Sequence, residues 1–165
     1  MADSQRRLNP AHLACVRSIA EQSPFLQMLG VRMTDLSLGY CRSETRVTRD
    51  LLNVFGGVHG GAYAALLDNA TYWSLYCGVD EGAGYTTIDL NVSDLGSARE
   101  GLLVIEGCAV KYGRTLCLSE GTIKDESGRL LAHATSKCLV ADGIQPISEA
   151  VSRTGADPLP PKYLD

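Results

Sequence analysis

One carboxylate stands alone in the most apolar stretch of this 165-residue chain. Residues 51–79 read LLNVFGGVHGGAYAALLDNATYWSLYCGV, and with histidine neutral only Asp68 carries a charge there. Residues 60–77 are rich in Ala and Leu and free of Gly and Pro after Gly61, which predicts a helix. A helix apolar on nearly all faces is a buried one. A carboxylate inside it has two readings. It can be a structural acceptor for Thr71, Ser74 or neighbouring backbone. It can instead be a general base or nucleophile, since burial disfavours the ionised form and moves a carboxyl toward neutral pH, where it is the better base.

The residues just before that helix favour the chemical reading. Gly56, Gly57, Gly60 and Gly61 surround His59. Glycines let backbone turn tightly and approach a ligand. The free N–H groups of a helix start, here near Gly60 and Gly61, suit negative charge and form the geometry of an oxyanion hole. The string matches neither G-x-G-x-x-G nor a P-loop, which argues against nucleotide phosphates of those types. Cys77 has no nearby base or positive charge to mark it as a nucleophile.

The elements that must position these residues form one domain-sized chain. Hydrophobic residues make up 45% and charged residues 21%, the balance of an ordinary globular domain. A net charge of -4 argues against bulk electrostatic binding of nucleic acid. A charged residue in mid-helix and the lack of a second apolar stretch argue against a membrane span. No apolar run follows Arg6 and Arg7, and no two of the six cysteines have C-x-x-C spacing, so reduced thiols in a cytoplasmic protein are expected. His12, His59 and His133 are too scattered for a metal site. Residues 9–23 predict a helix capped by Asn9, with Pro10 at its first position and Pro24 ending it. Strands are predicted over 31–38 and 40–48 with a turn at Gly39, and over 85–92, 102–112, 115–124 and 130–141. The Pro-rich tail from Gly143 reads as an ordered arm or a loose one. The sum is an α+β chain: about five or six antiparallel strands wrapped around one long central helix, with an extra N-terminal helix. The expected division is an N-terminal helical extension over 1–24, a main domain over 25–141 and a C-terminal tail over 142–165.

The pattern Asn53-(x)5-His59-Gly60-Gly61-(x)6-Asp68-Asn69 resembles the signature of hotdog-fold acyl-CoA thioesterases of the phenylacetate-degradation type, within the 4-hydroxybenzoyl-CoA thioesterase superfamily. Similar features follow in Thr87-Ile88-Asp89-Leu90-Asn91, Lys111-Tyr112-Gly113-Arg114 and Asp125-Glu126-Ser127-Gly128, so the resemblance covers about residues 25–140. It implies a hotdog fold paired into homodimers and often homotetramers. It implies hydrolysis of acyl-CoA to a carboxylate and CoA, with no metal and no cofactor beyond the CoA of the substrate. By the same resemblance Asp68 activates water or attacks the thioester, the Gly60 N–H polarises its carbonyl, and Asn53 and His59 hold the loop and help position carbonyl or water. Thr87 orients the water, while Gly61, Lys111 and Arg114 contact substrate or CoA phosphates. His59 is then a loop-fixing hydrogen bonder rather than the base. Tyr63, Tyr72, Trp73, Tyr76 and Tyr85 cluster around the helix, mostly as core, and would suit an aryl or medium acyl group. The stretch Asp94-Leu95-Gly96-Ser97-Ala98-Arg99 departs from the pattern, which usually has an aromatic and an Arg-Pro or Ser-Pro there, so no CoA contact carries over to it.

Spacing adds a constraint. His59 and Asp68 are nine residues apart, about 13 Å along a helix axis. An oxyanion donor and a base must both reach one reacting centre to about 3 Å. A two-fold dimer with antiparallel helices supplies both, in two shared sites. Two other readings stay open. One is a non-catalytic acyl-CoA-binding or sensing module, against which the joint presence of Asp68 and Asn53 speaks. The other is a hydratase of enoyl thioesters, whose Asp/His pair belongs to a different local motif.

Overall fold

The computed structural model describes residues 7–154 and 157–164. Residues 1–6, read above as lacking an apolar leader, lie outside the described residues. The chain runs β1 (Arg7–Leu8), α1 (Pro10–Glu21), α2 (Pro24–Met28), β2 (Arg32–Ser37), β3 (Tyr40–Arg46), α3 (Gly60–Tyr76), β4 (Tyr85–Asp94), β5 (Leu102–Lys111), β6 (Leu116–Asp125), β7 (Leu130–Val140), α4 (Ile147–Thr154) and β8 (Tyr163–Leu164). β2 to β7 form one sheet in the order β2-β3-β5-β6-β7-β4, every neighbouring pair antiparallel. Gly39 makes the β2–β3 turn with a φ of 76°, a conformation costly for any residue with a Cβ.

α3 lies against the sheet, and the sheet is built to let it come close. Strand residues alternate in and out, so Leu103, Ile105 and Gly107 of β5 face the helix with Gly121 and Ile123 of β6 and Ala132 and Ala134 of β7. Register puts Gly107 opposite Gly121, and Gly121 opposite Ala134. This row of small residues runs beneath the middle of α3. A Cβ on Gly107 would strike the carbonyl of Ala70, and one on Gly121 would stand 3.0 Å from the Thr71 methyl. Leu66, Leu67 and Ala70 complete the core on the helix side.

At the chain ends one expectation needs correction and one open alternative is resolved. Pro24 does not simply stop the first helix. α1 has already ended at Glu21, and Pro24 occupies the first turn of α2, where its missing N–H costs nothing. The tail is ordered and has structure of its own. It forms α4, then returns so that β8 pairs with β1. Asn9 caps α1 through Ala11 N–H, as expected, and its Nδ2 also donates to Pro161 O at 2.8 Å. His12 is buried between Pro160 O and the Tyr76 hydroxyl, each at 2.6 Å. Lys162 is 1% exposed, and its ammonium donates to Tyr76 O at 2.8 Å and Val79 O at 2.6 Å, just past the last turn of α3. A cation at a helix C-terminus is favourably placed against the helix dipole. Burial nevertheless holds this ammonium below its ordinary pKa.

Because the clash at residue 107 is with backbone, the neighbour cannot swing aside. Gly107→Ala should therefore cost about 1–3 kcal/mol of stability, read as a lower urea midpoint at unchanged m.

Candidate active site

The turn before α3 is closed by its own side chains. Asn53 Oδ1 accepts from Phe55 N at 2.9 Å and Gly57 N at 3.3 Å, while Asn53 N donates to Gly57 O at 2.8 Å. Val58 N then donates to Ala98 O, and His59 N to Leu51 O. His59 is the N-cap of α3: its Nδ1 accepts from Gly61 N at 2.8 Å. The neutral ring therefore carries its proton on Nε2. Gly61 N–H is thus taken by the cap. Gly60 N–H, one residue earlier, donates to no acceptor among the described residues. Asp94 Oδ2 lies 2.5 Å from where a Cβ on residue 60 would sit, so the Asp94 side chain closes against this turn. Ser97 packs the same way against Gly57. The 94–99 stretch that departs from the thioesterase pattern is therefore the buttress of this turn.

Asp68 sits in the middle of α3, half-buried, with Oδ1 fully buried and without a hydrogen-bond partner. The structural role considered from sequence does not hold for the donors named there. Thr71 donates to the Leu67 and Asp68 backbone carbonyls, and Ser74 to Thr71 O. The next residue repeats the feature: Asn69 Oδ1 accepts from Trp73 Nε1 at 3.1 Å, but its buried Nδ2 has no partner. A buried polar atom left unpaired costs about 1–3 kcal/mol, so each of the two calls for an explanation.

Both side chains open onto a groove of about 390 Å³. Tyr72 and Trp73 line it from α3, their rings in edge contact at 5.3 Å between centroids. Phe25 and Leu26 line it from α2 and Ile147 from α4. The five aromatics expected around the helix thus divide. Tyr63 is core, its hydroxyl accepting from Ala98 N, and Tyr76 and Tyr85 are buried, while Tyr72 and Trp73 reach the groove. Asn69 and the lining from α1, α2 and α4 were not singled out from sequence. Asn69 adjoins Asp68 in the quoted motif, but nothing in the pattern of the terminal segments announces a wall.

Thr87 of β4 approaches Cys138 Sγ at 3.8 Å. Burial pushes the Cys138 thiol up, Thr87 opposes this, and the nearby charge of Asp68 adds to it. Burial likewise pushes Cys77 up to about 11. Neither thiol is a thiolate at neutral pH, and a cysteine nucleophile finds no support. Lys111 and Arg114 are exposed near the β5–β6 turn, and Arg114 lines a second pocket of about 270 Å³ beside Gly78 and Tyr112. They belong to the C-terminal end of α3, whereas Asn53, His59, Gly60 and Gly61 belong to its N-terminal end. The 17 residues of α3 put these ends about 25 Å apart. A single chain therefore does not gather all the expected site residues at one point. No group of acidic, His and Cys side chains among the described residues could hold a metal ion.

Comparison with known proteins agrees with this geometry. Residues 55–132 match the model of the thioesterase superfamily. Human acyl-coenzyme A thioesterase 13 is 27% identical over 120 residues, spanning 71% of this chain and 85% of the human one. The phenylacetic acid degradation-related protein of Ralstonia eutropha JMP134 superposes with a TM-score of 0.70 at 30% identity, over 79% of this chain and 99% of that one. Zebrafish thioesterase superfamily member 2 does so with a TM-score of 0.68 at 26% identity, over 78% and 96%. The chain belongs to the thioesterase superfamily and is a thioester hydrolase of hotdog fold.

The unpaired Oδ1 of Asp68 separates activity from stability at this position. Asp68→Asn should lower kcat by about 10²-fold or more, the scale of a lost general base. It should not lower the melting temperature, because no native hydrogen bond to the carboxylate is lost. Turnover and thermal unfolding measured on the same preparation check both halves.

Proposed function

We propose that the protein hydrolyses acyl-CoA thioesters, with Asp68 as the base or nucleophile and the Gly60 N–H as the oxyanion donor, brought together from two copies of the chain. The observation that carries this reading is the buried carboxylate oxygen of Asp68, unpaired beside an apolar groove. The Asp68 carboxylate either takes a proton from the attacking water or attacks the carbonyl carbon itself. In both routes the carbonyl oxygen becomes an oxyanion held by an N–H at a helix start. The C–S bond then breaks, and the CoA sulfur leaves as thiolate and takes up a proton; in the covalent route water next hydrolyses the Asp68 anhydride, releasing the acyl carboxylate and restoring Asp68. Thr87 orients the water. Asn53 and His59 keep the Gly60 N–H aimed outward. Lys111 and Arg114 take the CoA phosphates. CoA is part of the substrate, and the reaction consumes no cofactor.

The need for two chains follows from the helix. Gly60 and Asp68 are about 12 Å apart along α3, too far to share one carbonyl. Antiparallel packing of two α3 helices about a two-fold axis brings the N-terminal half of one beside the middle of the other. β4 offers the surface for that axis. It is an edge strand of ten residues, paired only with β7, with Ile88 55% exposed. An unpaired edge of this length is a template for another strand, and β4 against β4 would join two sheets into one. A homodimer is the unit required, and a homotetramer would pair two such units. The six unpaired cysteines fit a reducing compartment such as the cytoplasm. No helix among the described residues is long and apolar enough to cross a membrane.

Complementation tests the shared site. Asn53→Ala and Asp68→Asn proteins, each nearly inactive, are unfolded together and refolded. Random pairing makes half the dimers mixed, and each mixed dimer has one intact site of two, so activity should recover to about a quarter of wild type. A mixture as inactive as its parents would refute sharing. Lys111→Ala with Arg114→Ala should raise KM for CoA esters more than it lowers kcat, since phosphate contacts supply mostly uniform binding. Equal losses on a short pantetheine thioester would count against a phosphate role.

A further inference from the structure

The thioesterase match supplies only part of the groove. It covers residues 55–132 and so supplies Asp68, Asn69, Tyr72 and Trp73. The rest of the wall comes from outside that segment: Ile19 of α1, Phe25 and Leu26 of α2, and Ile147 at the first position of α4. These pieces are not loosely appended. The C-terminal arm leaves the sheet where the carbonyl of Ile144 fills the space a Cβ on Gly84 would need. It returns where Lys162 anchors on the carbonyls of Tyr76 and Val79. Between these two points α1 is tied to the arm by Asn9 and His12, and β1 by β8. Ile147 packs against the cluster that contains Trp73 and Tyr76 and lines the groove together with Tyr72.

We propose that the terminal segments set the size of acyl group this enzyme accepts, with Ile147 as the specificity-determining residue and Phe25 facing the same groove from α2. The proposal rests on the reading of Asp68 as the site of thioester hydrolysis. Asp68 and Asn69 are the polar end of the groove, where the carbonyl would sit, and Tyr72, Trp73, Phe25, Leu26 and Ile147 form its apolar body. A group that fills this body gains hydrophobic burial with each methylene, which an acetyl group cannot gain. The wall from the arm is an aliphatic side chain on a fixed backbone, so adding volume there shortens the space and removing volume lengthens it.

The test is kcat/KM for acetyl-, hexanoyl- and decanoyl-CoA, by release of free CoA thiol, on the full chain and on Ile147→Ala, Ile147→Trp and Phe25→Ala. The wild type should prefer the longer groups. Ile147→Trp should lower the ratio of decanoyl- to acetyl-CoA turnover by about tenfold or more. Ile147→Ala should raise that ratio, a direction that general loosening of the fold does not produce. Phe25 is 53% exposed, so Phe25→Ala should fold whatever happens at Ile147, and should raise the ratio in the same direction as Ile147→Ala by removing wall volume. Ratios within twofold of wild type in Phe25→Ala and in the folded Ile147 variants would overturn the proposal while leaving the thioesterase reading intact. A wild-type protein that releases CoA from none of the three esters would overturn both, and silence of the unmodified chain distinguishes that case.

Discussion

The close seat of α3 on the sheet is the constraint on which the rest of the structure depends. The helix backbone rests on Gly107, where helix and strand meet with no side chain between them, and the Thr71 and Leu67 side chains rest on Gly121 beside it. Such a seat leaves no room for hydrated groups, which is why the 17 residues of α3 include a single charged one. Every requirement of the site follows from this burial. The ends of the helix must be satisfied without water, and the chain uses a different device at each. Lys162 brings a cation to the carbonyls just beyond the C-terminal end. At the N-terminal end the His59 cap uses one N–H and leaves the next, that of Gly60, facing outward. The helix dipole thus has a cation set against its negative end by Lys162, while at its positive end the Gly60 N–H has no acceptor among the described residues.

Much of this was legible in the sequence, and the reasons are local. The alternation in β5, β6 and β7 and the unbroken apolar run of α3 are period signals that the chain must show to fold at all, so the antiparallel sheet around one helix could be read directly. Asp68 stands out because a lone charge in such a run is costly, whereas His59 reads only as a loop-fixing residue and its place as the cap of α3 emerges from the structure. The tail was not legible. Lys162 looks like any surface lysine in a Pro-rich terminus, and its burial depends on carbonyls more than 80 residues away. Pro24 was misread for a related reason. Proline signals a break in the backbone, but whether it ends one helix or begins the next depends on the residues that follow packing as a helical turn, as Leu26 does.

The shape of the groove explains why an orphaned carboxylate is tolerable here. Asp68 and Asn69 each keep one buried polar atom unpaired, a combined cost of about 2–6 kcal/mol on the usual scale. That cost is borne by one of the best-packed elements of the chain, flanked by Leu66, Leu67 and Ala70 with almost no exposure. A rigid seat is also what preorganisation requires, because a base that could relax toward water would lose its advantage when the substrate arrived.

The same reasoning separates what the fold fixes from what the termini can vary. The Gly60 turn, Asp68 and the small-residue row are mutually dependent: moving the helix away from Gly107 would displace both chemical groups. The walls from α1, α2 and α4 are under no such constraint. They touch the helix only through side chains such as Phe25, Leu26 and Ile147, and they are fastened by contacts remote from the chemistry, at Gly84, at Asn9 and at Lys162. A volume change at Ile147 alters the space beside Tyr72 without disturbing the Asn53 loop or the cap of α3. On the proposed reading the Asp68 chemistry rests on the tightly seated helix, while the wall that would select the acyl group comes from segments fastened elsewhere.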